Sequence, residues 1–408
     1  MTFAQAQALY SRLGNRAAWP IDYGLILLLA LLMGLGLLMV ASSSVAISEK
    51  YFAVPSHFLV RQSLALLLGL AVGWLVMQMP LAWWQQHRGQ LFLLALFLLV
   101  LVLIFGKEVN GATRWLPLGV MNFQVSEMTK LVVVVFMAGY LARHGQAVKE
   151  RYDAVFRLML PFGVMAALLL LEPDFGSTFV IAVIITAMLL IAGAPWRYFV
   201  ITVLPIGGLL VSMVVTSPYR MARVTNFLDP WADPFGQGYQ LTQALIALGR
   251  GEWWGVGMGE SVQKLLYLPD AHTDFLFAIF AEEYGWLGVM GLILLYTLIV
   301  ARCFQIGHQA NQLHGTPQSK THFGGLVAYG VGVWVGLQAM INMGVNLGLF
   351  PTKGLTLPMM SYGGSSLLLF LMAFALVLRV DYENRQTLAK LSQSKNTDEE
   401  RPHVSQAK

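Results

Sequence analysis

Long apolar runs separated by short polar segments recur along most of the chain. A membrane-spanning helix needs about 20 mostly apolar residues. The pattern therefore predicts an all-α, polytopic membrane protein, with about ten transmembrane helices and a large extracytoplasmic loop between spans 7 and 8. The predicted spans are 22–47, 59–80, 89–107, 123–143, 156–172, 176–194, 197–216, 275–301, 323–349 and 358–379.

Lysine and arginine set the predicted orientation, since cytoplasmic loops carry an excess of both. With the N-terminus inside, most short-loop cations lie inside, and the outer short loops hold only Lys50, Lys107, Arg114 and Lys353. The prediction is a cytoplasmic segment at 1–21, a membrane domain over 22–380 and a polar tail at 381–408. Because the tail lacks apolar periodicity, it is predicted to be disordered and cytoplasmic.

Residues 217–274 form the large outer loop. Within it, QGYQLTQALIALGRG places Leu241, Leu245 and Leu248 on one helical face, which predicts a helix along the membrane surface. The glycine-rich GVGMGE that follows is predicted to be a plain turn, because no strand precedes it as in a phosphate-binding loop.

Composition agrees with a membrane protein: 57% of residues are hydrophobic and 12% are charged, against about 25% charged in soluble domains. The formal net charge of +5 fits membrane topology better than nucleic-acid binding. A single cysteine, Cys303, excludes an internal disulfide framework. No zinc-ligand spacing and no Ser-His-Asp or Cys-His set is visible in the sequence.

Charged residues within spans or at their mouths are functional candidates, because desolvation makes them costly. Glu127 and Lys130 in NFQVSEMTKL share a helix face. They form either a structural ion pair or a pair that lines an outward cavity. Arg114 and Trp115 are either an interfacial anchor or a site for a lipid phosphate and a sugar.

Two further stretches carry candidates. In LFPTKGLTLPMMSYGGSSLLLF, glycine, proline and serine interrupt an apolar segment. Lys353 at the break is either a snorkelling lysine or a contact for an anionic headgroup. In LYLPDAHTDFLFAIFAEEYG, Thr273 could cap a helix with Asp274 in its first turn. Alternatively, a half-desolvated Asp274 accepts a proton from a sugar hydroxyl. That alternative better explains Asp270 and a His272–Asp274 pairing. Glu282 and Glu283 are interpreted as polar packing.

Together, PDAHTDFLFAIFAEEYG, the Arg114–Trp115 pair, SEMTK, LEPDFGST and PTKGLTLPMMSYGGSSLL resemble the SEDS family (shape, elongation, division and sporulation), whose members polymerise peptidoglycan. The resemblance covers nearly all ten spans, with the motifs in the same order. The Lys-Gly of PTKGLTLP and the preceding NMGVNLGLFP favour the cell-division branch over the elongation branch. One departure is Asp270, where many members have Glu.

The resemblance implies a septal glycosyltransferase that acts on lipid II at the outer face of the cytoplasmic (inner) membrane. It implies that Asp274 is the essential acid, here the base of an inverting transfer, and that Glu127, Lys130 and Lys353 are the family's charged positions. It also implies partnership with a class B penicillin-binding protein transpeptidase and other divisome membrane proteins. A divalent cation (Mg or Mn) could assist. The expected substrate-binding residues are Arg114, Trp115, Glu127, Lys130, Arg220, Arg223, His272, Lys353 and Ser361.

Two other functional classes remain open on the sequence. Ten spans, a broken late helix and buried charges also suit a transporter that flips lipid II, although no inverted repeat is evident. A division scaffold without chemistry of its own is the other alternative. Polymer formation from lipid II distinguishes the enzyme from both.

Overall fold

The computed structural model describes residues 21–109, 112–117, 122–198, 200, 207–208, 212, 215, 221, 227–236, 238–315, 322–351 and 354–399. Ten helices are defined within these residues: α1 (Tyr23–Phe52), α2 (His57–Gln78), α3 (Leu81–Phe105), α4 (Val125–Glu150), α5 (Tyr152–Leu171), α6 (Phe175–Ile191), α7 (Tyr239–Gly251), α8 (Leu276–His314), α9 (Phe323–Asn346) and α10 (Gly364–Glu399).

The polytopic helical fold is confirmed. Within the described residues, eight helices are long and apolar enough to cross a membrane, namely α1 to α5 and α8 to α10. Helix α6 is apolar but only 17 residues long. The predicted seventh span, 197–216, lies mostly outside the described residues. Helix α3 begins at Leu81, so residues 81–88, which were predicted to form a loop between spans 2 and 3, are helical.

A small antiparallel sheet lies between α3 and α4, where the sequence predicted only a loop. Its strands are β1 (Lys107–Val109), β2 (Ala112–Pro117) and β3 (Asn122–Gln124), in the order β1-β2-β3. Strands of three to six residues are too short to show a clear alternation of apolar and polar positions. The sheet places Arg114 and Trp115 on its central strand.

Helix α8 is broken at Gly285, whose φ of 64° lies in the left-handed region. The preceding loop pairs with the break: the backbone N–H of Val256 donates to the Glu282 carbonyl at 3.0 Å, and that of Gly257 donates to the Glu283 carbonyl at 3.1 Å. A Cβ on Gly285 would lie 2.3 Å from the backbone nitrogen of Gly255. Glycine is therefore required for this close crossing.

Helix α7 confirms the predicted amphipathic helix in the large loop. It buries Leu241, Ala244 and Ala247 and packs on α8. The GVGMGE segment after it forms turns, as predicted, with positive φ at Gly255, Gly257 and Gly259.

The predicted disordered tail is wrong for residues 381–399, which continue α10. The sequence showed no apolar stripe here because the first turns pack through polar groups. Asp381 is 1% exposed and pairs with Arg385, and the buried Asn384 donates to the Ile306 carbonyl of α8 at 3.2 Å. Residues 400–408 lie outside the described part of the chain.

Several loops meet at one end of the bundle. The Tyr362 backbone N–H donates to the His272 carbonyl at 2.9 Å, and the Gln124 backbone N–H donates to the Ser365 hydroxyl at 3.2 Å. We call this end, formed by the described residues of 106–124, 172–174, 252–275 and 347–363, the site end.

Candidate functional site

Asp274 lies at the site end, two residues before α8 begins, with its side chain half-buried. A Cβ built on Gly354 would lie 3.4 Å from its Oδ2. Among the described residues, its carboxylate accepts no hydrogen bond. The pKa of Asp274 is raised to about 7, chiefly by burial and also by the charge of Asp270, while the charge of Arg114 opposes the rise. A carboxylate with this pKa can accept a proton near neutral pH.

The helix-capping explanation for Asp274 is wrong. The Thr273 hydroxyl donates to the Asp270 carbonyl instead of accepting from the helix, and α8 has no acidic residue in its first turn. The Asn346 side chain from α9 caps the start of α8 instead, since its Oδ1 accepts from the Ala278 backbone N–H at 3.2 Å. The Asp274 carboxylate is therefore not used by the helix that follows it.

Arg114 extends from β2 toward the turn between α5 and α6. Its Nη2 donates to the Pro173 carbonyl, and its buried Nε has no hydrogen-bond acceptor among the described residues. Its charge acts on both Asp274 and Glu172. Trp115, next on β2, is partly buried and lies opposite Lys107 and Gln124 in the sheet. The guanidinium is thus held close to the carboxylates.

Glu172 is a site-end residue that the sequence analysis did not select. It is 0% exposed, and neither carboxylate oxygen has a hydrogen-bond partner among the described residues. Burial raises its pKa to about 8; nearby Asp174 adds to the rise and Arg114 opposes it. The available signal was LEPDFGST, which places two acids in a turn between apolar helices.

Glu127 and Lys130 form an ion pair inside the bundle. Lys130 Nζ lies 2.6 Å from Glu127 Oε1 and donates to Gln338 Oε1 at 2.8 Å. The residues are 3% and 0% exposed, respectively. Lys130 Nζ also lies 5.6 Å from the ring centroid of Trp334. This burial supports the structural interpretation of the pair over the open-cavity alternative.

His272 packs in a ring cluster and does not pair with Asp274. Its imidazole centroid lies 4.6 Å from that of Phe58 and 5.6 Å from that of Tyr362. Burial lowers its pKa to about 4, so the ring is neutral at physiological pH. The predicted His272–Asp274 pairing is therefore wrong for the part of the chain that the structure describes.

Ser361 is buried and closes a local turn. Its hydroxyl accepts from the Leu357 backbone N–H at 3.0 Å, and its carbonyl accepts from Gln62 at 3.2 Å. These contacts give it a structural role, and its predicted substrate contact stays a prediction. Three other predicted substrate contacts, Lys353, Arg220 and Arg223, lie outside the described residues.

Glu282 and Glu283 secure the large loop, as the polar-packing interpretation predicts. Glu282 forms an ion pair with Arg250 at 2.9 Å and accepts from the Ser261 hydroxyl. Glu283 forms an ion pair with Lys264 at 2.7 Å. Both acids thus hold loop segments against α8.

The described residues contain no group of three or more His, Cys, Asp or Glu side chains arranged to hold a metal ion. No step of the reaction is therefore assigned to a divalent cation. The possible Mg or Mn requirement stays a prediction.

Three buried amides of α9 were not among the residues predicted from the sequence, namely Gln338, Asn342 and Asn346. Their spacing of four residues places them on one helix face. That spacing was the signal available in the sequence.

The chain matches a known protein family over most of its length. The family model described as "Cell cycle protein" (FtsW/RodA/SpoVE) matches residues 23–386. The probable peptidoglycan glycosyltransferase FtsW of Hydrogenovibrio crunogenus is 70% identical over 375 residues, covering 92% of this chain and 95% of that protein.

Two solved structures share the fold. A chain of a peptidoglycan synthase complex, studied for structural coordination of polymerization and crosslinking, has a TM-score of 0.70 and 32% identity. The match covers 90% of this chain and 98% of that one. The rod shape determining protein RodA of Thermus thermophilus has a TM-score of 0.65 and 30% identity, covering 90% of this chain and 97% of that one. This chain belongs to the FtsW/RodA/SpoVE family of cell cycle proteins, the SEDS family that its motifs resemble.

Proposed function

We propose that this chain is a peptidoglycan glycosyltransferase that polymerises lipid II at the outer face of the cytoplasmic membrane during septal synthesis. The name of its 70% identical relative supports the activity, and the site end supplies suitable chemistry. In this assignment the site end faces outward and both termini are cytoplasmic, in line with the distribution of lysine and arginine.

The proposed reaction joins two lipid-linked saccharides by inversion. The 4-hydroxyl oxygen of a GlcNAc residue attacks the anomeric carbon of a muramyl unit. As the new C–O bond forms, the bond from that carbon to the pyrophosphate oxygen breaks, and polyprenyl pyrophosphate leaves. The Asp274 carboxylate takes the hydroxyl proton, so no covalent enzyme intermediate is needed.

Positive charge favours departure of the pyrophosphate. Arg114 is suited to this task, because a guanidinium can hold phosphate oxygens through two hydrogen bonds. It is anchored at Pro173, and its charge acts on Asp274. Lys353, Arg220 and Arg223 remain predicted contributors.

One observation carries the proposal: a half-buried carboxylate, unused by its own helix and free of hydrogen bonds among the described residues, under the influence of an arginine. A site that holds a base for a substrate hydroxyl needs this combination of partial desolvation and accessibility.

The test is glycan polymerisation from lipid II by purified full-length protein in complex with its transpeptidase partner. Asp274→Asn keeps the side-chain shape and removes the base. We expect polymerisation to fall by about 10²- to 10⁴-fold, with an unchanged thermal unfolding midpoint. Wild-type rates from the folded variant would refute the assignment of the base.

The same preparation separates the other functional classes. In liposomes, a flippase would transfer the lipid II headgroup across the bilayer without forming polymer. A scaffold would support division equally well with Asp274→Ala. We propose that the partner is a class B penicillin-binding protein. The structurally similar chain comes from a peptidoglycan synthase complex that coordinates polymerization and crosslinking.

A further inference from the structure

Helix α9 carries a line of amide side chains that we call the α9 amide ladder: Gln338, Asn342 and Asn346. The three residues are 0%, 2% and 0% exposed. Burying an amide is costly unless its polar atoms are hydrogen-bonded. The hydrogen-bond partners of the three amides should therefore show which parts of the structure their burial stabilises.

The two asparagines hold the backbone of Asp274. Asn342 Nδ2 donates to the Asp274 carbonyl at 2.9 Å, and Asn346 Nδ2 donates to the same carbonyl at 3.1 Å. Asn346 Oδ1 meanwhile accepts from Ala278 in the first turn of α8. Asp274, two residues before α8, and the first turn of α8 are thus held by one neighbouring helix.

The ladder also holds a second chain segment. Asn342 Nδ2 donates to the Leu355 carbonyl at 2.7 Å, and Gln338 Nε2 donates to the Thr356 carbonyl at 3.0 Å. This segment begins at Gly354, which lies against the Asp274 carboxylate. Asn342 is the ladder member that joins the two segments, because its single amide nitrogen donates to both.

The ladder ends at the buried ion pair. Gln338 Oε1 accepts from Lys130 Nζ at 2.8 Å and from Trp334 Nε1 at 2.9 Å. Both acceptor directions of this oxygen are therefore used, which fixes the amide orientation. The Glu127–Lys130 pair thereby orients the first member of the ladder.

We propose that the α9 amide ladder is a positioning device for catalysis: Asn342 and Asn346 set the place of the Asp274 carboxylate relative to the segment at 354–357. The proposal rests on the proposed function of Asp274 as the base. Asn342 and Asn346 do not touch substrate in this scheme and act only through the backbone that they hold.

Ordinary helix packing is the competing explanation, since buried amides often bond neighbouring helices in membranes. Asn384 provides the matched case: it is 1% exposed, lies in α10 and donates to the Ile306 carbonyl of α8. It shares the chemistry of Asn342 but belongs to the cytoplasmic half of the proposed topology.

The experiment compares Asn342→Leu with Asn384→Leu in the full-length complex with its partner, using lipid II as the probe. Leucine keeps the approximate shape of asparagine, removes the donor and adds no charge. For Asn342→Leu we expect kcat to fall about 100-fold and the KM for lipid II to change less than about threefold. For Asn384→Leu we expect a similar loss of thermal stability, with kcat within about twofold of wild type.

The pH profile gives a readout that a purely structural role would not move. A displaced Asp274 gains hydration, so the acid limb of kcat/KM should move to lower pH in Asn342→Leu and stay in place in Asn384→Leu. Asp270 and Arg114 are unchanged in both variants, so neither accounts for a difference. If Asn342→Leu does not fold, Asn342→Ala and Asn384→Ala form the substitute pair.

Equal kcat and equal pH profiles for the two variants would overturn the positioning role. Asp274→Asn is measured in parallel to separate the two proposals. An inactive Asp274→Asn with a fully active Asn342→Leu rejects the ladder alone, whereas an active Asp274→Asn rejects the base assignment itself.

Discussion

Two polar regions of this protein differ in how completely their groups are hydrogen-bonded. Around Gln338, Lys130 is joined to Glu127, Gln338 and the face of Trp334, and Glu127 Oε2 is the one side-chain atom of these four residues that is buried without a hydrogen-bond partner among the described residues. At the site end, both oxygens of Glu172 and the Nε of Arg114 have no hydrogen-bond partner among the described residues. Both regions lie in a chain with few charges. The first uses its polar groups to hold structure, and the second leaves groups available for chemistry.

The largest stability effect should come from breaking the ion pair. Lys130→Met leaves Glu127 buried without its counter-charge, and we expect a loss of about 3–5 kcal/mol, seen as a lower thermal unfolding midpoint in nanodiscs. Glu127→Gln combined with Lys130→Met should recover most of that loss. A double variant as unstable as the single one would contradict a mainly electrostatic cause.

A charge swap sharpens the same test. In Glu127→Lys with Lys130→Glu the pair can re-form, but residue 130 no longer donates to Gln338 Oε1. We expect a midpoint between those of the wild type and Lys130→Met. Full recovery would show that the Gln338 contact contributes nothing to stability.

The next largest effect is on the pH dependence of the rate. A base must be ionised, and the pKa of Asp274 is about 7, so kcat/KM should fall about tenfold for each pH unit below 7. Asp270→Asn removes a charge that raises this pKa, so the acid limb should move to lower pH. Arg114→Gln should move it to higher pH. An acid limb of the kcat/KM profile at the same pH in both variants as in the wild type would contradict Asp274 as the titrating group.

The smallest effect concerns Glu172, which should change stability in a pH-dependent manner. Because burial raises its pKa to about 8, the folded state binds a proton there more tightly than the unfolded state. That contribution is present at low pH and is lost as pH rises toward 8. Asp174 and Arg114 are the charged groups that act on it.

Glu172→Gln removes this titration, so its unfolding midpoint should rise relative to wild type between pH 5 and pH 8.5. Glu108→Gln is the matched control, because Glu108 is exposed in β1. A midpoint difference for Glu172→Gln that does not change with pH would contradict the proposed burial of a protonated acid.

Three features could be predicted from the sequence: the helical membrane architecture, the amphipathic helix in the large loop and Asp274 as a candidate residue. These follow from local pattern, because a bilayer demands long apolar runs and makes each charge within them costly. The same reasoning also marked Arg114, Glu127 and Lys130. It was wrong about a His272–Asp274 pairing among the described residues, because the His272 ring packs against Phe58 instead.

How those charged residues are used depends on contacts between distant parts of the chain. Whether Asp274 caps its own helix depends on Asn346, which is 72 residues away along the chain. Whether Glu172 has a partner depends on how β2 meets the turn after α5. Hydrogen bonding and desolvation are set by neighbours in space, and a sequence pattern reports only neighbours along one element. That is why the pattern could select the charged residues but could not separate those that hold the fold from those left free to react.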